Sequence, residues 1–293
     1  MASLKEVRNR ISSVTSTRQI TSAMKLVSAA KLKRAQDNIV KMRPYANKLK
    51  EILNNLSGSV SADTESPYTE VRDVKRVLLV VVSANKGLCG AFNANVAKRA
   101  NAFLDAHQDL VASGNLEMIC IGRNVGNIFA KKNVKIRARF DEVVDKPTFA
   151  NANSIAELIM GLYAEKVFDK VVIIYNEFRS AASISTVEET FLPLTPAEDS
   201  ADKNTSNTEY IYQPSKEEII YNLIPASLKT QFFKVILDSQ AAEHGARMTA
   251  MHKATDNAGA LLRDLKLSYN KARQAAITNE ILEIVGGAEA LKG

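Results

Sequence analysis

The residues best placed for chemistry form a glycine-containing turn, SANKGLCGAFN, over residues 83–93. The turn follows a short apolar run and precedes a helical pattern, which is where phosphates bind in doubly wound α/β folds. Its glycines, Gly87 and Gly90, match neither the dinucleotide-binding spacing nor the P-loop spacing. Nucleotide binding therefore stays a minor alternative, and the turn is better suited to presenting Lys86 or Leu88 to a partner.

The histidines and cysteines form no recognisable catalytic or metal-binding pattern. His107, His244 and His252 lie apart, and no cysteine or carboxylate completes a ligand set around them. Cys89 is a single thiol with no histidine nearby in sequence, and Cys120 lies in an apolar run that is typical of a core. We therefore predict no catalytic residue, no metal and no cofactor in this chain.

The tail, residues 269–291, mixes polar and apolar side chains on one helical stretch. The polar residues alternate with isoleucines, and the set comprises Arg273, Gln274, Thr278, Asn279 and Glu280 with Ile277, Ile281 and Ile284. A helix end enclosed by a partner would pair these charges and bury the isoleucines. An ordinary amphipathic helix explains the pattern equally well, so both interpretations stay open.

Charge is concentrated at the N-terminus. Residues 1–50 hold twelve lysines and arginines against Glu6 and Asp37, a net charge of +10, whereas the whole chain carries +7. Such a block indicates an acidic partner, which would be nucleic acid, an anionic membrane surface or an acidic protein face; a solvated helix face is the alternative. The arm has a single aromatic residue, Tyr45, among its charges, which argues against single-stranded nucleic acid. Nowhere does an apolar run reach the length that spans a bilayer, and the N-terminus does not resemble a secretory signal.

Both ends of the chain have the apolar spacing of a coiled coil, alternating three and four residues. In the N-terminal helix the apolar phase breaks between Thr17 and Thr21, and Pro44 predicts a kink. The first set of apolar positions is Leu4, Val7, Ile11, Val14, Leu32, Ala35, Ile39, Met42, Ala46, Leu49, Leu53 and Leu56. The C-terminal set is His244, Met248, Met251, Thr255, Ala258, Leu262, Leu265, Tyr269, Ala272 and Ala276. We expect the C-terminal helix to start just after Pro225, to cover about 226–285 and to end at Gly286 and Gly287.

Between these helices, short β-rich runs alternate with helical stretches. The strands predicted as buried on both faces are VLLVVV at 77–82, MICI at 118–121 and VVII at 171–174. The helices predicted between them cover 93–106, 125–132 and 154–167. Further strands are predicted at Ser185–Leu194 and Tyr210–Tyr212, with an edge hairpin as one arrangement for them and a polar loop at Pro196–Thr208 between them. The fold class is thus α/β: a long antiparallel coiled coil with an inserted Rossmann-like α/β domain. Its expected boundaries are 1–58 for the first helix, 74–213 for the α/β domain and 216–293 for the second helix.

Five segments in order resemble the gamma subunit of F-type ATP synthases over almost the whole chain. They are ISSVTSTRQITSAMKLVSAAKLKRAQ, SANKGLCGAFN, YNEF at 175–178, EHGARMTAMHKATDNA and ARQAAITNEILEIVGGA. The resemblance implies a rotor shaft inside a hexamer of alpha and beta subunits, with the α/β domain against epsilon and the c-ring. It implies no catalysis by this chain, no nucleic acid, and peripheral attachment at the cytoplasmic side of a bacterial inner membrane through the c-ring.

The same resemblance implies roles for individual residues. Those that match contacts to the beta subunit are Met24, Lys25, Arg247, Arg273, Gln274, Thr278 and Glu280. Those that match the region facing the c-ring and epsilon are Tyr210, Tyr212 and Gln213. At Gln213 the family often has a carboxylate, so this chain departs from the pattern there.

Overall fold

The computed structural model describes residues 4–57, 66–132, 134–180, 183–194 and 216–290. The helices are α1 (Leu4–Ser57), α2 (Phe92–Ala106), α3 (Gln108–Ala112), α4 (Arg123–Phe129), α5 (Glu142–Asp145), α6 (Phe149–Ala164) and α7 (Lys216–Ala290). The strands are β1 (Val77–Val82), β2 (Leu116–Ile121), β3 (Lys135–Phe140), β4 (Lys170–Phe178) and β5 (Ile184–Leu192). The chain divides into two compact units. One comprises Met1–Ser28 with Arg247–Gly293, and the other comprises Ala29–Ala246.

The second unit is built on a five-stranded sheet in the order β3-β2-β1-β4-β5. The first four strands are parallel, and β5 runs antiparallel to β4. Val80 at the centre pairs with Ile119 on one side and Ile173 on the other. Parallel strands joined through helices are the arrangement predicted from the alternating apolar runs, so the Rossmann-like fold class is confirmed.

The central strands are apolar throughout because both faces of the sheet are covered. Leu78, Val80 and Val82 belong to a core shared with α6 and the part of α7 around Phe232. Alternate residues of the same strand, such as Leu79, belong to a second core shared with α2 and α4. Since successive side chains of a strand point to opposite faces, a strand between two helical layers must be apolar at every position.

β3 is an edge strand that the sequence reasoning missed. Its residues KIRARF alternate charged and apolar side chains, unlike the continuous runs of the other parallel strands. Lys135 and Arg137 reach the buried carboxylate of Glu117 at 2.6 and 3.0 Å. Burial alone would raise the pKa of Glu117, but these two cations hold it below its usual value. The short alternating pattern was too brief to separate from a loop.

Helix α7 is longer at both ends than expected. Pro225 lies inside it, nine residues after its start at Lys216, so the expected start just after this proline is wrong. Proline removes the donor for the Tyr221 carbonyl, and Tyr221 is exposed, so water can take the place of that donor. Gly286 and Gly287 also lie within α7 rather than ending it. Pro44 lies inside α1, which continues past it.

The first unit contains an antiparallel helix pair. Thr21 of α1 contacts Thr255 of α7, with 2.9 Å between their hydroxyl oxygens. Four residues further along α1, Lys25 contacts His252, which precedes Thr255 in α7. The partner's number falls as the α1 number rises, so the two helices run in opposite directions here. The described C-terminal coiled-coil positions are all buried or half-buried, as predicted.

The apolar pattern of α1 is interrupted where the sequence indicated, since residues 16–20 are all exposed, but the pattern resumes at Thr21 rather than at Leu32. Thr21, Lys25 and Ser28 continue the alternation of three and four residues and are half-buried or buried. The pattern had been lost because these positions carry polar side chains. The coiled-coil spacing therefore runs on through a polar layer.

Candidate partner-binding surfaces

The turn after β1 has a fixed interior and an exposed tip. Asn93 spans its base: its Oδ1 accepts from the Ala84 amide at 3.0 Å, and its Nδ2 donates to the Cys89 sulfur at 3.3 Å. Leu88 at the tip is 66% exposed and has a φ of 61°, which is unusual for a residue with a side chain. Such strain is maintained by surrounding contacts and is common at binding surfaces.

The carboxyl edge of β1 and β4 is filled from within the same unit. Ala84, Cys89 and Phe92 of the turn region cluster with Ala242 of α7. Asn176 at the end of β4 donates to the Phe92 carbonyl at 3.0 Å and ties β4 to the start of α2. In doubly wound folds this edge receives the ligand. Here a helix of the chain itself packs against the turn.

The thiols and the acidic and histidine side chains do not assemble into a reactive centre in the described part of the chain. No group of three or more such residues there is placed to hold a metal ion. Cys120 is fully buried in β2, and burial raises the pKa of its thiol to about 11. A thiol with such a pKa is almost entirely protonated at neutral pH and is a poor nucleophile.

The tail of α7 displays both groups of side chains that the sequence singled out. Arg273, Gln274, Thr278 and Glu280 are all exposed. The Thr278 hydroxyl donates to the Gln274 carbonyl at 2.9 Å within the helix, so its oxygen keeps both lone pairs for accepting from a partner.

Apolar side chains share this part of the helix and are also exposed. The large ones beyond residue 276 are Ile277, Ile281, Leu282, Ile284 and Val285, each about half exposed or more. A continuous apolar patch of this kind at a helix end is typical of a surface that a partner covers. The geometry therefore favours the enclosed-helix interpretation over an ordinary amphipathic helix.

Three further predicted contact residues lie in the first unit. Met24 is half-buried and its carbonyl accepts from the Ser28 hydroxyl at 2.7 Å. Lys25 places its Nζ 3.3 Å from Nδ1 of His252. Arg247 is buried, at 9% exposure. Lys25 belongs to the polar layer and Met24 precedes it in α1, so their positions follow from the pairing of the helices.

The basic residues of α1 form a charged surface. Apart from Lys25, those whose side chains are described are exposed. Arg10 pairs with Glu6 at 2.7 Å and Lys33 with Asp37 at 2.8 Å, both one helical turn apart. Since the arm contains only these two acids, most of its positive charge is not neutralised by acids of the arm itself.

The remaining predicted site residues are Tyr210, Tyr212 and Gln213. They lie outside the described residues, together with the predicted strand Tyr210–Tyr212 and the predicted loop Pro196–Thr208. Their assignment to a c-ring and epsilon contact stays a prediction.

Comparison with known proteins decides the family. The family model described as ATP synthase matches residues 3–291. The chain is 54% identical over 293 residues to the ATP synthase gamma chain of Flavobacterium johnsoniae, and the alignment covers all of both chains. This chain belongs to the ATP synthase gamma chain family. The gamma chain of Chlorobium phaeobacteroides is 47% identical over 294 residues, again covering all of both chains.

Solved structures share the fold of this gamma chain. A chain of the Euglena gracilis mitochondrial ATP synthase, in a structure of OSCP, F1 and the c-ring, aligns with a TM-score of 0.71 at 19% identity. The alignment covers 98% of this chain and 94% of that one. A chain of the central stalk and c-ring structure from Tetrahymena thermophila aligns with a TM-score of 0.58 at 21% identity, covering 80% and 99%.

Two features of this gamma chain were missed by sequence reasoning. Asp238 is buried in α7, and only its position in a mostly apolar helical stretch hinted at that. Ile20, Leu26 and Val27 are large apolar residues exposed on α1, off the coiled-coil positions. A count of apolar residues outside the alternation of three and four would have found them. Among the described helices, none combines the length and apolar character that crossing a bilayer requires.

Proposed function

We propose that this chain is the central-stalk rotor of a proton-translocating ATP synthase. Rotation of the c-ring turns the chain, and the turning chain drives the catalytic beta subunits through their nucleotide-binding states. Membership of the gamma chain family supports this role. The observation that carries it is the apolar surface on the tail of α7, which a surrounding partner would bury.

The alpha and beta subunits are the proposed partners of the two long helices. Arg273, Gln274, Thr278 and Glu280 offer hydrogen-bonding groups beside the exposed isoleucines, so one partner surface can satisfy both. Met24, Lys25 and Arg247 are the proposed beta contacts nearer the polar layer. The positive arm of α1 would face acidic segments of these subunits.

The chain itself is proposed to be non-catalytic, with ATP made and hydrolysed on beta. The turn after β1 packs against Ala242 of α7 instead of opening into a phosphate site. Its exposed Leu88 is then a contact for a partner, held in place by Asn93.

The epsilon subunit and the c-ring are the proposed partners of Tyr210, Tyr212 and Gln213. The complex would lie at a bacterial inner membrane, with this chain peripheral on the cytoplasmic side. Coupling between rotor angle and the nucleotide affinity of beta is a linkage of free energies. It must be reciprocal, so ATP hydrolysis drives the same rotor in reverse.

Co-expression with the alpha and beta subunits of the same host tests this proposal. We expect the purified chain alone to hydrolyse no ATP, and the three subunits together to form a complex with steady ATPase activity. Ile281→Asp should prevent assembly, because it puts a charge into the surface that the partner buries. Val71→Asp is the matched control, since Val71 is also exposed but lies outside both long helices. Turnover by the isolated chain, or normal assembly of Ile281→Asp, would overturn the proposal.

A further inference from the structure

A polar layer crosses the helix pair of the first unit. Thr21 and Thr255 lie 2.9 Å apart at their hydroxyl oxygens. One turn away, Lys25 Nζ lies 3.3 Å from His252 Nδ1. Asp256 Oδ2 lies 3.4 Å from the same ring nitrogen. We propose that this layer, defined as Thr21, Lys25, His252 and Thr255, fixes the axial register of α1 against α7.

The apolar positions around the layer do not determine the register by themselves. In α1 they are Leu4, Val7, Ile11 and Val14, and a displacement of seven residues replaces one aliphatic side chain by another. In α7 several of the facing positions are alanines, including Ala258, Ala272 and Ala276. Small side chains form shallow knobs that a displaced partner accommodates easily.

The polar layer distinguishes the native register from the displaced ones. Sliding by one heptad would bring Thr21 opposite Met248 or Leu262 instead of Thr255. Lys25 would then lie opposite Gly245 or Gly259 and would lose its contact with the exposed His252 ring. A half-buried threonine hydroxyl set against an apolar side chain loses its partner on the other helix, so the displaced arrangements are disfavoured. A polar pair at a coiled-coil position is known to specify register at some cost in stability.

The donors and acceptors in the layer are consistent with a directed network. The Thr255 hydroxyl lies 2.7 Å from the Met251 carbonyl and can donate to it. The Thr21 hydroxyl likewise lies 3.1 Å from the Arg18 carbonyl, so one threonine donates across the pair while the other donates within its own helix. Lysine has only donors, so Lys25 donates to Nδ1 of His252 in the tautomer that carries no proton there, whereas a proton on Nδ1 would be donated to Asp256 instead.

Disulfide trapping tests the register directly. Moving seven residues in opposite directions from the Thr21–Thr255 pair brings Val14 opposite Leu262, whereas a one-heptad displacement brings Val14 opposite Tyr269. One variant carries Val14→Cys with Leu262→Cys, and the other carries Val14→Cys with Tyr269→Cys. Each variant is made in the full-length chain and purified together with the subunits it assembles with. After mild oxidation, the disulfides are mapped by mass spectrometry. The native Cys89 and Cys120 are buried, and a chain with only these two gives the background.

The same two cysteine pairs are then placed in a chain whose polar layer is made apolar. The four substitutions are Thr21→Val, Thr255→Val, Lys25→Leu and His252→Leu. With the native layer we expect the Val14–Leu262 disulfide alone. With the apolar layer we expect the displaced disulfide to rise at least several-fold over background, with no loss in the urea midpoint of unfolding. Thr17→Val is the control, because Thr17 is exposed on α1 and bonds only to its own helix at Ser13.

Two results would overturn the proposal. One is formation of the displaced disulfide with the native layer in place, and the other is the in-register disulfide as the single product with the apolar layer. A chain with only Thr21→Val and Lys25→Met keeps the test decisive if the fourfold variant does not fold. A smaller rise of the displaced disulfide is expected from it, and no rise contradicts the proposal.

Discussion

At the scale of single residues, Asp238 is a charge that the fold tolerates poorly. It is only 6% exposed, and burial raises the pKa of its carboxyl from 3.8 to about 6. The nearby carboxylates of Glu177 and Glu189 act in the same direction, while Lys234 and Arg43 oppose them. Folding therefore favours the protonated form.

This raised pKa makes stability depend on pH with a definite sign. The folded protein binds the Asp238 proton more tightly than the unfolded chain does. Ionised Asp238 therefore lowers the free energy of unfolding by its full amount above about pH 6 and by nothing below about pH 4. Asp238→Asn should raise the free energy of unfolding at pH 8 by up to about 3 kcal/mol, and by nothing near pH 4. Urea denaturation across this pH range measures the difference. Asp105→Asn is the control, since Asp105 is exposed, and an equal gain at both pH values would contradict the assignment.

Gly122 is a residue whose backbone leaves no room for a side chain. It has a φ of 96°, and a Cβ there would lie 2.2 Å from the Ser83 carbonyl oxygen. Gly122→Ala should lower the free energy of unfolding by about 2 to 4 kcal/mol, because both strain and a clash with backbone are added. Gly114→Ala separates the two causes, since Gly114 has a φ of 72° but open space around it. Equal losses for the two variants in urea denaturation would mean that the clash is not important.

At the scale of elements, the end of α7 gives a prediction about helix stability. Gly286 and Gly287 are helical, and nothing lies within 4 Å of where a Cβ would be at either. Replacing both by alanine should stabilise the last turns by about 1 kcal/mol per position. Slower amide hydrogen exchange over residues 281–290 would show this. Gly259→Ala should leave that segment unchanged, and faster exchange in the double variant would contradict the helical assignment.

The elements that the sequence predicted best are those with a single dominant pattern. The run VLLVVV could only be a buried strand, and residues 244–276 keep one alternation of three and four. β3 was missed because an edge strand needs only one apolar face, and its charges pair with Glu117 of a strand far away in sequence. The polar layer was read as a phase break because its partners, such as Thr255, lie more than 200 residues further along the chain.

The proposed binding surfaces stay predictions. The mixture of charges and isoleucines in the tail indicated a surface for a partner, and the exposure of these side chains is consistent with that prediction. The exposure and backbone strain of Leu88 follow from the contacts of Asn93 and Cys89, and a local pattern cannot reveal such strain.

At the scale of the whole molecule, the uneven charge predicts how the chain finds its partners. The arm of residues 1–50 carries +10 and the rest of the chain −3, since the total is +7. Replacing Arg18, Lys31 and Arg34 by glutamine should slow association with the alpha and beta subunits roughly tenfold at low salt and flatten its salt dependence. Stopped-flow mixing at low and high salt measures both. Glutamine at Lys98, an exposed cation on α2, is the control; an unchanged rate in the triple variant would exclude steering by the arm.

The central claim is that this chain rotates inside a catalytic complex, and the most direct measurement observes that rotation. The complex of alpha, beta and this chain is fixed to a surface through beta, and a bead is attached to the chain at an exposed residue of its α/β domain. The account predicts continuous rotation in one direction when ATP is added, ceasing when ATP is exhausted. ATP hydrolysis by the same immobilised complexes without movement of the bead would contradict it.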